Sequence, residues 1–277
     1  MDVRCRTAAD HRSAHAAAVK SKTVRSTSAA EAGANQLIAS LPRRSQSTLL
    51  ASCEHVDLRF AVVLCAEGER LQHVYFPLNS VISLVTTLAD RARLEVGLIG
   101  NEGMLGTSVL LGVNVSPQHA VVQGGGSALR MTAAAFQQHC KQDIALREVL
   151  NRYVHVLIEQ LSQTAACTLY HPVERRLARW LLMTRQRVGA DRFNLTHEFL
   201  AYMLGVRRAG VTHAALSLQV KGLIDYRRGS ITLLDPSGLR KASCACYVRG
   251  NLIYQRTMGA TRRARRRRRL VGSRQVS

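Results

Sequence analysis

The chain has 277 residues, 47% of them hydrophobic, which is enough for two domains with cores of their own. No apolar run approaches the ~18 residues of a membrane span, and the formal net charge of +21 points toward a polyanionic partner. Seven cysteines, scattered and odd in number, argue against a disulfide scaffold and for a reducing, cytoplasmic setting.

Residues 1–34 are rich in Ala, Ser, Arg and His without apolar periodicity, and read either as a disordered extension or as a reading frame opened too far upstream. Residues 35–140 carry a β rhythm. Short apolar runs at 62–64, 74–76, 81–84, 94–98, 120–122 and 127–131 are separated by Gly, Pro, Asn and Asp, as in an antiparallel barrel or sandwich, with Cys53 and Cys65 as small buried apolar residues. Residues 141–168 lose that punctuation and turn helical. Leu146, Leu150, Tyr153, Leu157, Leu161 and Thr164 recur at three- and four-residue steps, a stripe that packs either on its own barrel or, the preferred reading, along a two-fold seam. Leu150, Tyr153, Leu157, Leu161 and Thr164 are then the expected dimer contacts.

Residues 169–241 hold the most informative segment. Thr196 suits the cap of a short helix whose Phe199, Leu200, Met203 and Leu204 share one face. Gly205 permits a sharp turn, and Val211, Ala215 and Leu218 bury a second helix that leaves Arg208, Ala209, Thr212 and His213 on its other side. Those are the positions that enter a major groove. Residues 224–234 then read as a hairpin with Arg227 and Arg228 at its tip, completing a winged helix. An ordinary buried helix pair is the bland alternative, and charge weighs against it: residues 174–241 hold 13 Lys and Arg against 5 Asp and Glu, whereas residues 35–173 hold 10 of each.

Residues 242–277 include seven Arg between Arg262 and Arg269, a self-repelling run expected to stay disordered. Cys244 and Cys246 form a C-x-C pair with no second pair nearby along the chain, so no metal site is expected. Nucleophile-elbow, zincin and phosphate-loop motifs are all missing, and the chain reads as a non-enzyme.

Barrel, long helix and winged helix in this order, an α+β arrangement with a jelly-roll-like antiparallel barrel, resemble the Crp/Fnr family of bacterial transcription regulators over residues 35–247. Val74-Tyr75-Phe76-Pro77 with Ser80, and the run from Glu95 to Gly106, are similar to that family's strand and ligand-cassette region. The run from Pro172 to Leu182 is similar to the first helix of its DNA domain, with Pro172 suited to a first turn.

The resemblance implies a sequence-specific regulator that binds double-stranded DNA at a palindrome as a homodimer, with RNA polymerase as a further partner and no membrane. It places an effector at Gly100, Asn101, Glu102 and Gly103, with His119 as a possible donor. Cyclic-nucleotide-binding members clasp the ligand phosphate with a cassette Arg. Here no Arg or Lys lies between Arg93 and Arg130, and Asn101 falls where a ribose-contacting Glu is expected unless a one-residue shift puts Glu102 there, so cyclic AMP is disfavoured. An iron–sulfur cluster is disfavoured too, because Cys5 stands alone near the N-terminus. Arg208 matches a guanine-contacting position, Ala209 replaces an acidic one, His213 takes a basic one, and Arg207 sits where a capping Ser or Thr is usual. A rival of another class is a ligand-binding sensor or protein-interaction module that has lost DNA binding.

Overall fold

The computed structural model describes residues 19–21, 34–88 and 93–272. Of the expected N-terminal extension, Val19–Ser21 forms a short strand, β1; residues 1–18, with Cys5, and residues 22–33 lie outside the described residues. The ordered body begins at Asn35. Its buried side chain accepts from the Ile38 amide to cap helix α1 (Gln36–Ala39), and donates to the carbonyls of Pro77 and Gly103, pinning that helix to the barrel. Helix α2 (Arg43–Ala51) follows.

Two four-stranded antiparallel sheets make a jelly-roll-like sandwich. Strands β2 (Glu54–Leu58), β4 (His73–Pro77) and β8 (Gly126–Thr132) join β1 in the order β1-β2-β8-β4. Strands β3 (Val63–Cys65), β5 (Val81–Thr87), β6 (Arg93–Ile99) and β7 (His119–Gly124) form the other sheet, ordered β3-β7-β5-β6. A single turn, α3 (Thr107–Leu110), bridges the cassette region. Val56, Val74, Phe76, Ile82, Val122 and Leu129 meet between the sheets, and Phe136 of α4 (Ala133–Gln142) closes one end edge-on to Phe76.

Asp143 caps the 27-residue helix α5 (Ile144–Tyr170) through the Leu146 amide. This helix spends its main apolar face on its own barrel: Leu146, Val149, Leu150, Tyr153 and Val156 are all buried there. The expected seam is therefore corrected at Leu150 and Tyr153, which are used up inside one protomer. Leu157, Leu161 and Thr164 are half-buried, and the large exposed apolar residues of α5 are Ile144, Ile158, Leu169 and Tyr170, at 64%, 57%, 75% and 77% exposure.

After Pro172 the chain forms α6 (Val173–Val188), ended by Gly189 in a left-handed conformation. Then come β9 (Arg192–Asn194), α7 (His197–Leu204), α8 (Arg208–Val220) and the hairpin β10 (Ile224–Arg227) and β11 (Ser230–Leu233), with sheet order β10-β11-β9. Leu177, Leu181, Leu200, Val211, Leu218, Ile224 and Ile231 are its core. The same core continues into Val81, Val85 and Leu98 of the barrel, so the winged helix is docked on the β5–β6 face rather than tethered beside it.

Helices α9 (Pro236–Ala242) and α10 (Cys246–Gly272) end the described chain. The disordered tail expected over residues 242–277 is thus corrected to a helix from Cys246 to Gly272, and residues 273–277 lie outside the described residues. Ile253, Tyr254 and Met258 pack on the barrel core, and the Tyr254 hydroxyl donates to the Glu102 carbonyl at 3.0 Å. Packing of this first half supplies the helical nucleus that a bare arginine run lacks.

Candidate nucleic-acid interface

Thr196 caps α7 by accepting from the Phe199 amide at 3.1 Å, and Gly205, at φ +61°, ends it. Arg176 of α6, a buried cation that sequence reading missed, donates to the Leu204 carbonyl at that same C-terminus, where the helix dipole favours positive charge. Glu174 of α6 holds the far end of α8: it accepts from Ser217 at 2.8 Å and from Lys221 at 2.5 Å, and those bonds pull its carboxyl below the usual range. Both ends of the recognition unit are therefore fixed to α6.

On α8 the side chains of Arg208, Ala209, Thr212 and His213 are all exposed on one side, while Val211, Ala214, Ala215 and Leu218 are buried on the other. The Thr212 hydroxyl donates to the Arg208 carbonyl at 3.1 Å and lies 3.0 Å from His197 Nδ1, so its polar atom is already engaged and its methyl is what remains outward. The His197 ring stacks on Tyr226 of the wing with centroids 4.3 Å apart, coupling wing to recognition helix. Burial, and then the charge of Arg208, lower the His197 pKa and keep that ring neutral. Arg207 precedes α8 in an extended conformation with no side-chain cap bond.

The wing tip is a two-residue turn of Arg228 and Gly229, both at positive φ (48° and 79°), with Arg227 and Arg228 exposed. A turn of this handedness suits the twist of paired strands and favours Asn-Gly. The structure thus places Arg207, Arg208, Ala209, Thr212, His213, Arg227 and Arg228 on exposed segments of one small domain.

The barrel covers a different side of the unit. Phe60 meets Phe199 at 5.7 Å, the Arg93 guanidinium sits 5.3 Å from the Tyr202 ring centroid, and a methyl added at Gly205 would strike Leu94. Deeper in the joint, Glu95, Ser83 and Gln123 of the barrel are buried with Trp180 and Thr184 of α6. Trp180 Nε1 donates to Glu95 Oε1 at 2.9 Å, and Gln123 Nε2 donates to Thr184 Oγ1 at 2.9 Å. Burial pushes the Glu95 carboxyl up to about 7.

The proposed effector residues are only partly brought together. Asn101 and Glu102 line an open cleft of about 850 Å³ with Gln36, Arg187 and Tyr254. Glu102 is paired with Arg187 of α6 at 2.7 Å, Gly100 lies against the same arginine, and Gly103 leaves room only for the Tyr153 hydroxyl. The cassette turn is thus clamped from outside the barrel by the DNA domain, a contact no local motif encodes. His119 is elsewhere, at the start of β7 opposite Val85 and near Glu67.

Four potential metal ligands converge at the base of the winged helix: Cys167, His171, Cys244 and Cys246, whose ligand atoms all lie within 4.8 Å of one another. The expectation of no metal site rested on spacing along the chain, which does not register ligands brought together by folding. Burial raises Cys65 and Cys140 to about 11; within the cluster a hydrogen bond from Cys244 lowers Cys167, while that same bond and burial raise Cys244, and burial raises Cys246.

Residues 175–242 match the Crp-like helix-turn-helix domain family. A search of curated proteins gave no match. Among solved structures, FixK2 from Bradyrhizobium japonicum is 16% identical with a TM-score of 0.59, covering 70% of this chain and 98% of that one. The c-di-GMP-responsive global regulator CLP of Xanthomonas campestris is 14% identical, TM-score 0.57, covering 69% and 99%. A CRP/FNR-family transcriptional regulator from Thermus thermophilus is 20% identical, TM-score 0.56, covering 69% and 98%. These likenesses establish a shared fold.

Proposed function

We propose that this chain is a transcription regulator of Crp/Fnr type that reads a palindromic operator as a homodimer through Arg208 and anchors itself through its wing, a reading supported by its Crp-like helix-turn-helix match and shared fold. The observation that carries this reading is the exposed row of Arg208, Ala209, Thr212 and His213 on a helix fixed at both ends, beside a wing tip bearing two arginines. A bidentate arginine on guanine O6 and N7 reads sequence, and wing arginines on phosphates set register. Ala209 faces a thymine methyl in this scheme, and RNA polymerase is the partner of the DNA-bound protein.

The homodimer is inferred from α5. With Leu150 and Tyr153 spent on the barrel, half-buried Val154 and exposed Ile158, Ala165 and Leu169 line one side of α5, an apolar row left for a second helix. Two-fold pairing there sets two recognition helices about one DNA turn, ~34 Å, apart. The effector belongs to the cleft bounded by Asn101, Glu102 and Arg187, where a bound anion competes with Glu102 for the arginine.

Selection of the full chain against randomised duplexes at two salt concentrations tests the reading. Recovery of a palindrome with half-sites one helical turn apart is expected, with affinity falling steeply as salt rises. Salt-sensitive binding without a motif would remove the readout role of Arg208, and no duplex binding would leave a sensor that acts on protein partners.

A further inference from the structure

Two elements distant in sequence meet at the base of the winged helix. Cys167 lies in the last turn of α5, and His171 caps that end with its amide donating to the Cys167 carbonyl at 3.1 Å. The link from α9 to α10 brings Cys244 and Cys246. Cys167 Sγ lies 3.5 Å from Cys244 Sγ, and Cys246 Sγ lies 3.6 Å from His171 Nδ1. Zinc binds thiolate at about 2.3 Å and imidazole at about 2.0–2.1 Å, so a tetrahedral site has ligand–ligand edges of roughly 3.4–3.8 Å. Both separations fall in that range, and all four ligand atoms lie within 4.8 Å of one another, within reach of a single ion.

The surroundings fit an ion better than packing. Cysteines that serve as small apolar residues merge into a core, as Cys65 and Cys140 do in the barrel. Cys167, Cys244 and Cys246 instead form a buried cluster of their own, outside both large cores. Gln163 Nε2 donates to Cys246 Sγ at 3.0 Å, the kind of outer contact that orients a thiolate ligand. Arg179 and Arg176 act electrostatically on the cluster, offsetting the net negative charge that three thiolates leave on a divalent ion.

We propose that Cys167, His171, Cys244 and Cys246 bind one zinc ion that staples the entry of the winged-helix domain to its exit. Three sulfurs and one imidazole in a closed tetrahedron select a borderline-soft divalent metal and leave no open position for catalysis, so the site is structural. The 77-residue separation between Cys167 and Cys244 spans the whole winged helix. Bridging its ends removes closure entropy from the unfolded domain and holds the junction of α5 and α6 against α10. Binding releases the thiol protons and involves no change of oxidation state.

The test is metal analysis of the full-length protein, purified under reducing conditions without added metal. One equivalent of zinc is expected, and after chelation and reconstitution with cobalt, the visible absorption of a tetrahedral thiolate site. Cys167→Ser and Cys246→Ser should each abolish the cobalt spectrum, while Cys53→Ser, outside the cluster, should keep it. Chelation of the wild-type protein should lower its melting temperature, a readout that stands even if a serine variant fails to fold. Folded, reduced wild-type protein without stoichiometric metal, or a Cys167–Cys244 disulfide found by mass spectrometry, overturns the proposal. None of these readouts involves DNA, so the site can fail while the operator-binding reading survives, and the reverse.

Discussion

Arg228 occupies a position whose geometry suits another residue. It is the first of two turn residues at positive φ, where Asn or Gly avoids the crowding a longer side chain suffers. An arginine held there at a cost of about 1 kcal/mol is accounted for by the phosphate contact proposed for its exposed guanidinium. Arg228→Asn should therefore leave the domain as stable or slightly more stable by thermal melting, while weakening every duplex alike and lowering the salt slope by about 1. Arg208 should behave differently, because the proposed reading gives it a base to contact. Arg208→Ala should cost about 1–3 kcal/mol at the selected operator and relax preference at one base pair, leaving random duplexes almost unaffected. Binding isotherms of both variants on operator and scrambled DNA make the comparison; identical profiles would remove the division between reading and anchoring.

At the scale of elements, what was legible in the sequence was what local chemistry dictates. Thr196, Gly205 and the apolar steps from Leu200 to Leu218 define helix, turn and helix because caps and faces are set within a few residues. The strands at 73–77, 81–87 and 126–132 carry the same short-range signal, and Arg227-Arg228-Gly229 marks the wing. What escaped depends on chain segments far apart: Arg176 on the Leu204 carbonyl, Glu102 against Arg187, and the four metal ligands. The stripe on α5 shows the limit well. Its period gives a helix with a buried face, but Leu150 and Tyr153 could fill their own barrel or a partner's seam with the same spacing, and only the fold assigns them. The row that remains outward predicts the consequence. Ile158→Asp puts a charge where pairing would bury it and should give monomers by light scattering, with palindrome affinity lost and half-site affinity kept. Leu150→Asp should instead unfold the barrel. A stable dimer of the Ile158 variant would move the two-fold axis elsewhere.

For the whole molecule, the decisive contact is the joint between barrel and winged helix, and its chemistry makes it sensitive to pH. Ser83 Oγ is 2.7 Å from both Glu95 Oε2 and Gln123 Oε1, yet a hydroxyl has one proton to give. The network closes when Glu95 is protonated and donates to Ser83, Ser83 donates to Gln123, Gln123 donates to Thr184, and Trp180 donates to Glu95. Burial, the largest influence, favours the same neutral form and pushes the carboxyl up to about 7, against the hydrogen bonds with Ser83 and Trp180 and the charges of Arg187 and Arg179, which lower it. Undocked, Glu95 meets water and returns toward its ordinary value of 4.5. The docked state then holds the extra proton between those two values, so docking is strongest below about 4.5 and weakens as pH rises through about 7. The full difference is on the order of 3 kcal/mol, enough to move an evenly poised joint from mostly closed to mostly open. Trp180 is the single tryptophan of the chain and sits inside this network, so its emission reports on the joint directly. A red shift with a midpoint near neutrality is expected on raising the pH. Glu95→Gln supplies an amide that accepts from Trp180 and donates to Ser83 without ever ionising; it should hold the blue-shifted emission across the range and keep the two domains docked at a pH where the wild-type protein has opened. A wild-type shift that persists in that variant would assign the pH response to a group other than Glu95.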